Sequence, residues 1–168
     1  EQIITITVVD TTPPESICPD DKVIASCLTQ DEVDAAFADF LNGFSCTDNC
    51  GPTTSRHVVD GQTYHDIWNI PAPSFCGGSV TVKQICKDAC GNKDNCTATF
   101  TVEDAPDLMV HCPADKLMGT CKTQDEVDAA FSNFLSQFNT SGGCNTISGF
   151  AANYHAPDFC GGSVTVTF

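Results

Sequence analysis

The stretch Thr29-Gln-Asp-Glu-Val-Asp-Ala-Ala-Phe37 returns letter for letter as Thr123 to Phe131, an offset of 94 residues. An internal repeat of this length means that one supersecondary plan is used twice and limits what else the chain can be. Both copies read as helix starts. The Thr29 hydroxyl can accept from a free first-turn amide and Glu32 can reach back to the Thr29 N–H, as Thr123 and Glu126 can in the second copy. Val33, Ala36, Phe37, Phe40, Leu41 and Phe44 then fall on one helical stripe. Val127, Ala130, Phe131, Phe134, Leu135 and Phe138 repeat it. The pattern predicts helices over residues 30–44 and 124–138. Such a Phe-rich face needs a partner, and the flanking sequence is of β type. The fold class expected is mainly β, with one inserted α-helix per repeat.

Glu1–Asp10 alternates β-branched residues with Thr and matches Asn95–Asp104 at the same offset. It is therefore expected to be the last strand of a preceding repeat. Residues 11–104 form one complete repeat and 105–168 a truncated second one. Asp10-Thr-Thr-Pro-Pro14 and Asp104-Ala-Pro106 become the inter-repeat linkers, extended and semi-rigid through proline. Cys18, Pro19 and Cys27 are paralleled by Cys112, Pro113 and Cys121. The Gly-Gly turns at 77–78 and 161–162 each precede an alternating strand. In the first repeat that strand turns through Lys87-Asp-Ala-Cys-Gly-Asn92 and returns as Cys96–Val102, a long hairpin. Were joints strand-swapped, Glu1–Asp10 would complete another domain.

Twelve cysteines in 168 residues point to an oxidising, extracellular setting in which disulfides supplement small cores. The net charge of −15, with 7 Lys and Arg against 22 Asp and Glu, excludes nucleic acid as a partner. It also disfavours anionic membrane surfaces, and no apolar run is long enough to span a bilayer. Neighbouring acidic repeats repel one another. Cys46-x₃-Cys50 and Cys86-x₃-Cys90 are loosely compatible with zinc, but Cys46 has no counterpart in the second repeat, so disulfides are the better reading. No nucleophile elbow, phosphate loop or zinc-protease motif occurs, and the chain is read as non-enzymatic. His57, His65, His111 and His155 fall at unrelated repeat positions.

Three stretches carry a family resemblance: Asp10-Thr-Thr-Pro-Pro-Glu-Ser-Ile-Cys-Pro19, Thr47-Asp-Asn-Cys-Gly51, and Val80 through Asp88-Ala-Cys-Gly-Asn92 to Val102. They resemble HYR-like immunoglobulin-type repeats, and more narrowly the tandem repeats of giant surface adhesins of the SprB type in gliding Bacteroidetes. The resemblance implies disulfide-stapled immunoglobulin-like β-sandwiches strung into long cell-surface fibres, exported by type IX secretion and serving adhesion and gliding motility. Its partners would be neighbouring repeats and other copies in the fibre. The alternative is a carbohydrate- or protein-binding module of a secreted protein. The resemblance also implies O-glycosylation at Thr11, in Asp10-Thr11-Thr12. Asn95-Cys-Thr97 and Asn139-Thr-Ser141 fit the N-glycosylation sequon.

Chain position suggests Cys18–Cys96 as an immunoglobulin-like staple, with Cys27–Cys50 and Cys121–Cys144 closing loops around the helices. Cys46–Cys86 and Cys76–Cys90 would complete the first repeat. About a hundred connectivities remain open for its eight cysteines. Cys112 and Cys160 would find partners only beyond Phe168. No cofactor is required, but junction carboxylates could gather calcium, with Asp10 and its equivalent Asp104 the first choice. Tyr64 and Trp68 lie in or beside a ten-residue excess of the first repeat, where they could form a sugar-stacking platform or pack into the core.

Overall fold

The computed structural model describes residues 2–168. It divides into two units, residues 1–104 and 105–168, each taken by itself below. The fold is mainly β with two helices. No helix among the described residues is long and apolar enough to cross a membrane.

In the first unit, β1 (Glu15–Ile17) pairs antiparallel with β3 (Ser45–Thr47). A five-stranded sheet contains β2 (Lys22–Ile24), β4 (Thr54–Val59), β5 (Gln62–Tyr64), β6 (Gly78–Lys87) and β7 (Lys93–Val102), in the order β2-β7-β6-β4-β5. Only the β2–β7 pair is parallel. The β6–β7 hairpin is the long one read from the sequence, and it runs from Gly78↔Val102 to Lys87↔Lys93. Alternation sorts its side chains. Val82, Gln84 and Cys86 of β6 and Ala98, Phe100 and Val102 of β7 are buried on one face, while Thr81, Lys83 and Lys87 are exposed on the other.

Helix α1 (Gln30–Leu41) covers one end of the buried face. Val33, Phe37, Phe40 and Leu41 are buried there, and Phe37 meets the fully buried Phe100 edge-on at 5.2 Å. Removing the Phe100 ring would cost about 3–5 kcal/mol by the usual cavity penalty. The expected capping box forms at Thr29 and Glu32. The helix ends at Leu41, three residues earlier than expected, and Phe44 packs on the core from the turn beyond it.

The other end of the buried face lies under β1 and β3. Cys18, just past β1, is bonded to Cys96 of β7, and Cys46 of β3 to Cys86 of β6. Both pairings match the expectation. Gln84, 1% exposed, also ties the layers: its Nε2 donates to Ser45 O at 2.6 Å and to Ser16 Oγ at 3.3 Å. Its Oε1 faces His57 Nε2 at 3.3 Å.

Several expectations need correction. Glu1 lies outside the described residues, and residues 2–10 form no strand; Ile3, Ile4, Ile6, Val8 and Val9 are exposed. An isolated strand has no ladder to satisfy its backbone, and residues 2–10 pair with no strand among the described residues. Cys50, Cys76, Cys90 and Cys121 carry thiols, so Cys27–Cys50, Cys76–Cys90 and Cys121–Cys144 are not formed. Cys76 precedes β6 and Cys90 follows it. A ten-residue strand holds them about 30 Å apart, far beyond disulfide reach.

The second unit reproduces part of the plan. Its β8 (Met109–His111) pairs with β9 (Asn139–Ser141) in the register of β1 and β3, and α2 (Gln124–Leu135) carries the same capping box at Thr123 and Glu126. Cys27 and Cys121 share a positive φ, 65° and 62°. The alternating stretch after Gly162 is not a strand. Its counterpart β6 lies between β4 and β7, whereas among the described residues this stretch pairs with no strand and its Thr167 O accepts from the Ala151 amide.

Candidate cation site at the hairpin tip

The tip of the β6–β7 hairpin is held by one carboxylate. Asp88 Oδ1 accepts from the Gly91 and Asn92 amides at 2.6 and 2.8 Å, and Oδ2 accepts from Asn92 Nδ2 at 2.8 Å. Gly91 sits at φ 102°, a backbone region closed to most side chains. Asp88 is 6% exposed. Burial pushes its pKa up, but the hydrogen bonds from the Asn92 side chain and the Gly91, Asn92 and Cys90 amides outweigh this and hold the carboxyl below its ordinary value.

The incoming linker docks on this tip. Asn92 Nδ2 also lies 3.2 Å from Asp10 O and 3.3 Å from Thr12 O, and Thr12 N donates to Asp10 Oδ1 at 3.0 Å. From the other side, the turn after β3 presents Asp48, whose Oδ2 accepts from Cys50 N at 3.0 Å. Asp10, Asp48 and Asp88 each bring a carboxylate oxygen within 4.8 Å of the others. Asp10 Oδ2 and Asp48 Oδ1 are both sealed from solvent and accept no hydrogen bond. The ion pairs among the described residues, Lys22–Asp39 and Lys122–Glu126, are elsewhere.

Two thiols flank the cluster. The Asp10 charge, then burial, then Asp48 and Asp88 push the Cys50 thiol up. Burial, then the Asp10 charge and a hydrogen bond to the Asp10 side chain, then Asp88, do the same to Cys90, which also feels Cys50. Both are thereby disfavoured as thiolates. The cluster offers hard oxygen donors first.

Of the two aspartates singled out for calcium, Asp10 belongs to this cluster and Asp104 does not; Asp104 lies against Gly77. Asp48 and Asp88 complete the cluster without having been singled out. Their signal was present in the recurrence of Asp-x-Cys-Gly at Asp48–Gly51 and Asp88–Gly91. Asp21, before β2, accepts from the Thr99 amide of β7 at 2.7 Å. Tyr64 is half-buried against the core, while Trp68, in a single 3₁₀ turn, is 56% exposed. Thr11 is exposed in the linker. His57 is buried, and burial holds its pKa below 6.5.

No family description, curated protein or solved structure matches this chain.

Proposed function

We propose that the chain is a non-catalytic structural unit of a long extracellular surface fibre or adhesin, in which immunoglobulin-like sandwiches follow one another through short proline linkers. The single observation that carries this reading is the fidelity of the repeat. The β1–β3 register, the capping box and the positive φ of the cysteine before each helix all recur at the same offset. A unit used twice with this fidelity, preceded by Asp10-Thr-Thr-Pro-Pro14 and joined to its second copy through Asp104-Ala-Pro106, is suited to building length.

Two further features support it. Disulfides bind β1 and β3 to the five-stranded sheet, which suits a small domain outside the cell. The net charge of −15 discourages side-by-side bundling of such fibres. The test is surface labelling of intact source cells with antibody against this chain, followed by electron microscopy. Labelled filaments projecting from the cell support the reading, and label confined to the cytoplasm rejects it.

A second reading, a sugar-binding module, rests on Trp68 alone, since its exposed indole falls in or beside the ten-residue excess of the first repeat. Tryptophan fluorescence against a panel of polysaccharides tests it. Quenching that is lost in Trp68→Ala would favour this reading over the spacer.

A further inference from the structure

We propose that Asp10, Asp48 and Asp88 hold one calcium ion, and that this ion fastens the incoming linker to the hairpin tip of the repeat that follows it. The assignment of calcium rests on the extracellular reading above; the existence of a cation site does not.

Two independent observations converge. Three carboxylates from separate parts of the chain, the linker, the turn after β3 and the β6–β7 tip, gather within 4.8 Å with no cation among them. Oxygens bound to one ion at about 2.4 Å can lie up to about 4.8 Å apart, so the spacing fits. Separately, Asp10 Oδ2 and Asp48 Oδ1 have lost water and gained no donor. A buried carboxylate oxygen without a partner is costly, and native structures rarely leave one so. Here there are two, beside a third carboxylate that is itself 6% exposed. A cation satisfies all three together.

The chemistry of the donors selects among cations. The oxygens are hard, which favours calcium or magnesium over softer metals. Magnesium demands near-ideal octahedral geometry, while calcium accepts irregular sets such as one drawn from a strandless linker and two turns. Asn92 prepares the site by holding the carbonyls of Asp10 and Thr12, so the linker arrives already oriented. Asp48 falls opposite Gly142 in the second copy, so the site occurs once in this chain.

The test is calorimetric titration of calcium chloride into the metal-stripped, disulfide-intact chain, with amide hydrogen exchange run in parallel. The expected result is one ion per chain with a Kd of about 10⁻⁴–10⁻³ M, the range of extracellular modules, and slower exchange at Thr12 and Asn92. Asp48→Asn and, separately, Asp10→Asn should each weaken binding at least tenfold; Glu103→Gln, outside the cluster, should leave it unchanged. Asp48 lies in a partly exposed turn, so its variant also reports if Asp88→Asn fails to fold. Three results would overturn the proposal. They are no heat up to about 10 mM calcium, ten times the weak end of that range; binding that survives both variants; or zinc binding alone, abolished by thiol alkylation, which would give the site to Cys50 and Cys90. None of these touches the fibre reading, which stands or falls on the filament labelling.

Discussion

At the residue scale, Gln84 carries more of the fold than its polarity suggests. It is buried between a disulfide pair, with Cys86 Sγ at 3.2 Å and Cys46 Sγ at 3.4 Å from its Nε2, and it bonds both layers. Gln84→Leu keeps the volume but strands Ser45 O and His57 Nε2. Its expected cost is about 2–4 kcal/mol in urea unfolding, from one or two buried polar groups left unpaired. His57 gives a pH signature with a definite sign. Burial lowers its folded pKa below the ordinary 6.5, so the unfolded chain binds its proton first as pH falls. The stability that neutral His57 permits is complete above that ordinary value and declines as pH drops from it toward the folded value. Thermal melts between about pH 8 and pH 5 should show this decline, and His57→Gln should flatten it. Neither role could be read from the sequence. A Gln or His in an alternating strand gives no hint of what lies opposite, because that is set by pairing between residues far apart in the chain.

At the element scale, the helices were the most legible part, because a capping box and a 3.6-residue stripe are local signals. Thr29→Ala should cost about 1 kcal/mol. Hydrogen bonds from the Thr29 amide and hydroxyl hold Glu32 below the ordinary 4.5. The cap's contribution is therefore fully present above the ordinary value and lost as pH falls through the folded one. A Glu32→Gln variant should lack that acid-side loss in circular dichroism melts. The clamp was not legible. Gln30 Nε2 lies 3.1 Å from Pro73 O and its Oε1 accepts from Phe75 N at 3.1 Å, while Gln124 repeats this with Pro157 and Phe159. The repeat kept Gln at both positions, but nothing local says that a Gln at the first turn grips a loop more than thirty residues on. The opposite failure occurred at residues 2–10 and after Gly162. There the alternating pattern was right for a strand, but the neighbours a strand needs were not beside it.

At the scale of the whole molecule, the repeat period, the division near Asp104 and two disulfides followed from the sequence. The other pairings did not, because connectivity depends on which ends of strands face each other. The charge is also less even than the total implied. Arg56, Lys83, Lys87 and Lys93 share the open face of the five-stranded sheet, four of the seven cations. The acidic chain thus carries one basic face on its first unit. Opening Cys46–Cys86 by a double serine variant should cost about 2–4 kcal/mol and expose the layer under β3; comparing urea midpoints of the two proteins measures it.

The central claim is that this chain is one stretch of a tandem array built for length. The most direct test is to determine the native polypeptide on either side of Glu1 and Phe168. The account predicts the same period continuing for many copies, with the Thr-Gln-Asp-Glu helix start, Cys-Pro and Asp-Ala-Cys-Gly-Asn recurring. A polypeptide that holds only a repeat or two beside an unrelated catalytic or lectin domain would contradict it.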